Sequence, residues 1–171
     1  MLFRSDIGEG KKYYLFTGHW NKTAMMWDIP KGDLVKDFTG HSGWGGMTSV
    51  FVSELDIGEG KKYYLFTGSN DDTVKMWDIS KDEEVQTFSG HTDWLNVFVS
   101  GNYLFTGHTD NTAKMWDIST GNKVRTFSGH NSSVWSVFVS GDNLFTGSFD
   151  KTVKMWEVPE FYSFQITKNL L

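Results

Sequence analysis

The chain has 171 residues, 16% of them aromatic, and a net charge of −5 with no block of lysine and arginine. That is enough apolar material for a sizeable core, too much for a disordered chain, and the wrong charge for a surface that grips nucleic acid. There is no cysteine, so disulfides, thiolate metal sites and a thiol nucleophile are all excluded.

No run reaches the roughly 18 apolar residues of a membrane span. The opening MLFRSDIGEGKKYY lacks the apolar stretch of a signal peptide. A soluble, intracellular, cytoplasmic protein is the expectation, with neither membrane nor nucleic acid among its partners.

From the N-terminus onward, four near-copies of one string set the elements. They are LFTGHWNKTAMMWDI from Leu15, LFTGSNDDTVKMWDI from Leu65, LFTGHTDNTAKMWDI from Leu104 and LFTGSFDKTVKMWEV from Leu144, so the steps are 50, 39 and 40 residues. A period near 40 with short alternating runs predicts one four-stranded sheet per repeat. Approximate repeats are 1–39, 40–89, 90–128 and 129–171, within one domain.

Ahead of the first copy only MLFRS stands where an inner strand belongs, so the first sheet reads as incomplete. The first step is long because ELDIGEGKK follows Ser53 where later copies have Gly101-Asn102 or Gly141-Asp142-Asn143. The run GEGKK lacks the Ser or Thr after Lys and the glycine spacing of a phosphate loop; a surface hairpin is the better reading. Further on, KVRTFS (123–128) reads as an outer strand, SVWSVFVS (133–140) as an inner one, and LFTGS (144–148) and 152–158 as the strands that follow, with turn chemistry between them. FYSFQIT near the end is a plausible outer strand. No window holds a helical period for more than a turn, so almost no helix is expected.

A Gly-His, then a strand, a turn Asp and a Trp-Asp recur at fixed spacing. Trp follows the turn Asp by six residues at Asp71/Trp77, Asp110/Trp116 and Asp150/Trp156; Thr67, Thr106 and Thr146 precede it by four; His41, His91 and His130 lie upstream. In these features the chain resembles the WD-repeat β-propellers along nearly its whole length. The resemblance implies an all-β propeller of four-stranded antiparallel blades, about four per chain. It also implies three structural tetrads, His41–Thr67–Asp71–Trp77, His91–Thr106–Asp110–Trp116 and His130–Thr146–Asp150–Trp156, each hydrogen-bonded within one blade.

Blades pack face to face, so a polar group inside one must find a partner. A His, an Asp and a hydroxyl together also suggest a catalytic triad. The trio recurs in three repeats, each time tied to a strand Trp, whereas an enzyme needs one site, so the structural reading is preferred. The first copy has Asn21 for the turn Asp and no preceding Gly-His. His19 and His108 stand where other copies have Ser69 and Ser148, and read as surface substitutions, without the third donor that a metal site needs.

Propellers have about four to eight blades, and blades of about 40 residues resemble those of the larger rings. Two readings follow: a homodimer closing an eight-bladed ring, or a truncated piece of a larger WD-repeat regulatory protein. The family resemblance implies a non-catalytic scaffold for a protein or peptide, without cofactor or metal. A small-ligand or carbohydrate propeller is the alternative, but the residues before the turn Asp or Asn are Trp20, Asn70, Thr109 and Phe149, too irregular for a repeated ligand. In the resemblance those four positions share a top rim with Trp44 and Trp94, which follow His41 and His91 by three residues. The candidate binding surface is therefore Trp20, Trp44, Asn70, Trp94, Thr109 and Phe149, with Lys11 and Lys61 on the opposite rim.

Overall fold

The computed structural model describes residues 2–5, 12–92 and 96–158, with the backbone alone for 2–5 and 12. Among these residues there are fifteen strands and no helix, arranged as three four-stranded sheets and one of three strands. Every pairing is antiparallel, as expected of propeller blades. The first sheet is β1 (Leu2–Ser5), β2 (Lys12–Gly18), β3 (Thr23–Asp28) and β4 (Asp33–Thr39). The second is β5 (Met47–Asp56), β6 (Lys61–Ser69), β7 (Thr73–Asp78) and β8 (Glu83–Ser89). The third is β9 (Asn96–Ser100), β10 (Tyr103–Gly107), β11 (Thr112–Asp117) and β12 (Lys123–Ser128), and the last is β13 (Val134–Ser140), β14 (Asn143–Ser148) and β15 (Val153–Glu157).

The first sheet is not incomplete. β1 pairs with β2 from Leu2↔Leu15 to Ser5↔Lys12, so the short stretch does supply an inner strand, over Leu2–Ser5. Four residues suffice because β1 needs only one neighbour for its ladder. The FYSFQIT segment lies outside the described residues, as does the first GEGKK. The second GEGKK sits at a hairpin, with β5 ending at Asp56 and β6 starting at Lys61 and the Asp56 carboxylate accepting from the amides of Gly58 and Gly60.

Position in the sheet decides the pattern of each strand. In the two middle sheets the second and third strands lie between neighbouring sheets, so both of their faces are covered and they read as near-continuous apolar runs: β6 is buried from Tyr64 to Ser69. The outer strands β4, β8 and β12 face water and keep one buried anchor each, Phe38, Phe88 and Phe127. The turn between second and third strands repeats a strained geometry. Lys22, Asp72, Asn111 and Lys151 all hold φ between 61° and 69°, the left-handed step of a three-residue hairpin.

Adjacent sheets meet in three apolar seams. The first joins Phe16, Ala24 and Met26 to Leu65, Trp77 and Ile79. The second and third use the equivalent residues one and two repeats later. A cation tightens two of them: Lys36 Nζ donates to the carbonyl of Ile79 at 2.8 Å, and Arg125 to that of Glu157 at 2.9 Å. On the inner strands Phe51, Phe98 and Phe138 form an aromatic ladder, with centroids 5.0 Å and 5.2 Å apart. No helix among the described residues is long and apolar enough to cross a membrane.

Candidate interaction site

The site is built on the polar network inside each sheet, because that network fixes the turns that carry the exposed residues. In the second sheet, Trp77 Nε1 donates to Thr67 Oγ1 at 2.9 Å, Thr67 Oγ1 lies 2.8 Å from His41 Nε2, and His41 Nδ1 lies 2.9 Å from Asp71 Oδ2. A carboxylate only accepts, so His41 carries its proton on Nδ1 and accepts from Thr67. Asp71 takes three further donors: the Ser42 amide, the Thr73 amide and the Thr73 hydroxyl. Burial alone would raise its carboxyl, but the bonds from Thr73, Ser42 and His41 outweigh that and hold it below the usual range. The last sheet repeats the set, with His130 2.8 Å from both Asp150 and Thr146, and Trp156 donating to Thr146 at 2.9 Å.

The Gly before His41 and before His130 has a reason. Gly40 and Gly129 sit at φ 153° and 152°, and a Cβ on either would stand 3.0–3.2 Å from the rim of Trp77 or Trp156. The tryptophan of the tetrad thus packs where the glycine lacks a side chain.

The third sheet departs from the expected tetrad. His91 does not reach Thr106. His108, fully buried rather than a surface substitution, lies 2.8 Å from Thr106 Oγ1 through Nε2, and Trp116 donates to the same oxygen at 3.0 Å. The Thr92 amide donates to His108 Nδ1 at 3.3 Å, which puts the ring proton on Nε2, the opposite tautomer to His41. His91 is left stacked on His108, with centroids 5.1 Å apart and planes 11° off parallel, and lies 4.4 Å from Trp116. Neither of its ring nitrogens has a hydrogen-bond partner among the described residues. Asp110 turns instead to Thr112 and to Lys114 Nζ at 3.1 Å. The physical cause is reach: a His two residues after the Thr lies on the same strand end and takes the hydroxyl before the loop His can. The first sheet does likewise, with His19 Nε2 2.7 Å from Thr17 and Trp27 donating to Thr17 at 2.9 Å. His19 therefore occupies the seat left open by the missing Gly-His.

These networks hold the rim. The turns between second and third strands and the loops between sheets lie on one side and are laced together: Met47 N donates to His19 O at 3.1 Å, Asn70 N to Gly46 O at 3.2 Å, Val134 N to His108 O at 2.8 Å and Phe149 N to Ser133 O at 3.0 Å. Trp20 and Trp44 stand on this rim 76% and 96% exposed. With Lys22, Gly43 and Gly45 they line an open cleft of about 510 Å³. Asn70 lies in a smaller adjoining cleft of about 140 Å³ with Trp20, Gly46, Met47 and Thr48. Its Oδ1 is buried there without a partner among the described residues. Thr109 is spent on the rim itself, its hydroxyl donating to Thr92 O. Phe149, 62% exposed, packs edge-on against Trp135 at 4.6 Å. Trp94 and Lys11 lie outside the described residues, while Lys61 is exposed at the far end of its sheet.

Sequence reasoning missed Trp135 because it sits in an apolar run that reads as inner strand. The register breaks at a bulge between Val134 and Ser136, which the sequence does not mark, and the ring is left exposed. No cluster of three His, Cys, Asp or Glu among the described residues could hold a metal ion.

Comparison with known proteins gives the same architecture. The family model "WD domain, G-beta repeat" matches residues 32–78, 82–117 and 121–157. The crystal structure of the computationally designed Ika4 protein is similar over 85% of this chain and 85% of that one, at 30% identity and a TM-score of 0.70. That of the computationally designed Ika8 protein is similar over 90% of this chain but 44% of its own, at 28% identity and a TM-score of 0.67; the chain thus spans under half of Ika8. No curated protein matches the chain.

Proposed function

The chain belongs to the WD-repeat family, and from that premise we propose that it is a non-catalytic cytoplasmic scaffold holding a protein or peptide partner on the laced rim. The observation that carries this reading is the pair Trp20 and Trp44, nearly bare to solvent on either side of one cleft. Large aromatics concentrate binding energy when a partner desolvates them. The backbone bonds that tie Met47 to His19 and Asn70 to Gly46 hold both loops in advance, which lowers the ordering cost of association. Trp135 and Phe149 form a second aromatic pair further along the rim. Asn70 and Thr109 lie between the two pairs, and Trp94 joins the surface on sequence alone.

A non-catalytic role fits the His–Asp pairs. His41–Asp71 and His130–Asp150 are each tied to a Thr and through it to a Trp inside a sheet, which leaves no lone pair free to act on a substrate.

The test is affinity capture by the intact chain with quantification of bound proteins, comparing wild type, Trp20→Ala/Trp44→Ala and Lys61→Ala. The rim double variant is expected to lose the bound partner by roughly tenfold or more, as two hot-spot aromatics imply, and Lys61→Ala to retain it. Retention by the rim variant with loss in Lys61→Ala puts the partner on the other side.

A further inference from the structure

The three seams between sheets repeat one chemistry. On one side stand a leucine, a tryptophan and a β-branched residue; on the other a phenylalanine, a small or β-branched residue and a methionine. The leucines (Leu65, Leu104, Leu144) and the methionines (Met26, Met76, Met115) inside those seams are at most 4% exposed. Each half also occurs once more, at an end of the array, with no sheet against it among the described residues. In the first sheet Leu15 and Ile29 are 37% and 43% exposed; in the last, Val153 and Met155 are 74% and 61% exposed. Among the described residues the four sheets therefore do not close on one another, and they carry one unmated copy of each half-seam.

We propose that a second copy of this chain covers both faces. The Val153–Met155 face of the last sheet takes the Leu15–Ile29 face of the second copy's first sheet, and the second seam forms in the same way, closing a ring of eight sheets. Complementarity selects this occupant: the surface known to fit a Met-bearing face is a Leu-Trp-Ile face, or Leu-Trp-Val in the last seam, and this chain fits the two kinds of face together three times within itself. Head-to-tail contacts either close or run on as a filament. Two copies bring the count to eight, at the upper end of the usual range for propellers. The likeness to Ika8, in which an array of this shape takes up 44% of a longer chain, shows that such an array can form part of a larger body. Once the first seam forms, the second is intramolecular and gains from effective concentration.

The experiment is sedimentation of the intact chain at micromolar concentration, alone and as two charge variants. Wild type is expected at twice the 19.5 kDa chain mass. Met155→Glu, which spoils the trailing face, and Leu15→Glu, which spoils the leading face, are each expected to fall to one chain mass with an unchanged β circular-dichroism spectrum. Mixed together, they are expected to recover a one-to-one complex, because the intact trailing face of one still meets the intact leading face of the other. A like-to-like interface gives no such recovery, so its absence overturns the head-to-tail seam. A wild-type chain that stays at one chain mass across the concentration range, or that grows past two, overturns the ring. Should either charge variant lose its β spectrum, Met155→Gln and Leu15→Gln take its place in the same mixing experiment.

Discussion

At the scale of single residues, the repeats permit a controlled comparison, since the same position is satisfied in one copy and orphaned in another. His41 accepts from Thr67 and donates to Asp71; His91 has the equivalent place in sequence and no partner for either nitrogen among the described residues. Removing one member of a satisfied buried network costs about 1–3 kcal/mol, while removing an unsatisfied polar group recovers a similar penalty. His41→Phe is therefore expected to lower the denaturation midpoint and His91→Phe to raise it; shifts of the same sign would contradict the pairing. Asp71→Ala should likewise cost about 1–3 kcal/mol by stranding its donors, against a few tenths for its exposed neighbour in Asp72→Ala.

Acid stability follows from the same two rings. Burial lowers the pKa of His91 and of His108 from 6.5 to about 3. The fold keeps both neutral, so below pH 6.5 the unfolded chain takes up their protons first. Their contribution is complete above pH 6.5 and declines as pH falls toward 3, by about 1.4 kcal/mol per pH unit for each group. Asp110 loses its contribution in the same direction, at lower pH. Burial would raise it, but Thr112 and Lys114 hold it at about 2, so its contribution is full above 3.8 and fades as pH drops through 2. Urea midpoints between pH 7 and 4.5 should fall for wild type and fall less steeply for His91→Phe; parallel slopes would mean that His91 already charges in the fold. The exchange of His91 for His108 was not legible in the sequence. Spacing identifies a motif, but which of two histidines reaches a hydroxyl depends on strand-end geometry that only the folded turn supplies.

At the scale of elements, the turn between the second and third strands is the most repeated strain. Lys151 holds φ 68° with nothing in its side chain to favour it, whereas Asn and Asp tolerate that region better. Lys151→Gly should raise stability by up to about 1 kcal/mol, measured as a melting shift; a loss would show that the lysine side chain holds the turn. The strands themselves were readable because both signals agreed: runs of about five to eight residues of β-branched and aromatic type, and turn residues at fixed offsets. KVRTFS is β12 without adjustment, and the other expected strands move by a residue or so at their ends. What misled was length, since MLFRS looked too short to be a strand, yet an edge needs only one partner and β1 finds it in β2. For the rim, residue type identified the exposed Trp20 and Phe149, but not that Thr109 is consumed in bonding to Thr92.

At the scale of the whole molecule, stability is a sum over neighbours, because the seams join each sheet to the sheets beside it. The two middle sheets are covered on both faces and should show the slowest amide exchange, in β6, β7, β10 and β11. If a second copy covers the ends, the melting temperature should climb with protein concentration in the micromolar range, and Met155→Glu should remove that dependence. The three seams are also one joint used repeatedly. Leu65, Leu104 and Leu144 carry no mark that says which neighbour each should meet. These leucines therefore do not encode how many sheets there are. The number is set by an angle summed from joint to joint until the circle is full, so a slight change common to all joints alters the tally without altering any contact. A chain that has gained or lost one unit keeps two working ends and needs no new surface. Arithmetic in this molecule is done by rotation, and its sequence can be lengthened as a row of tiles is lengthened, one identical edge at a time.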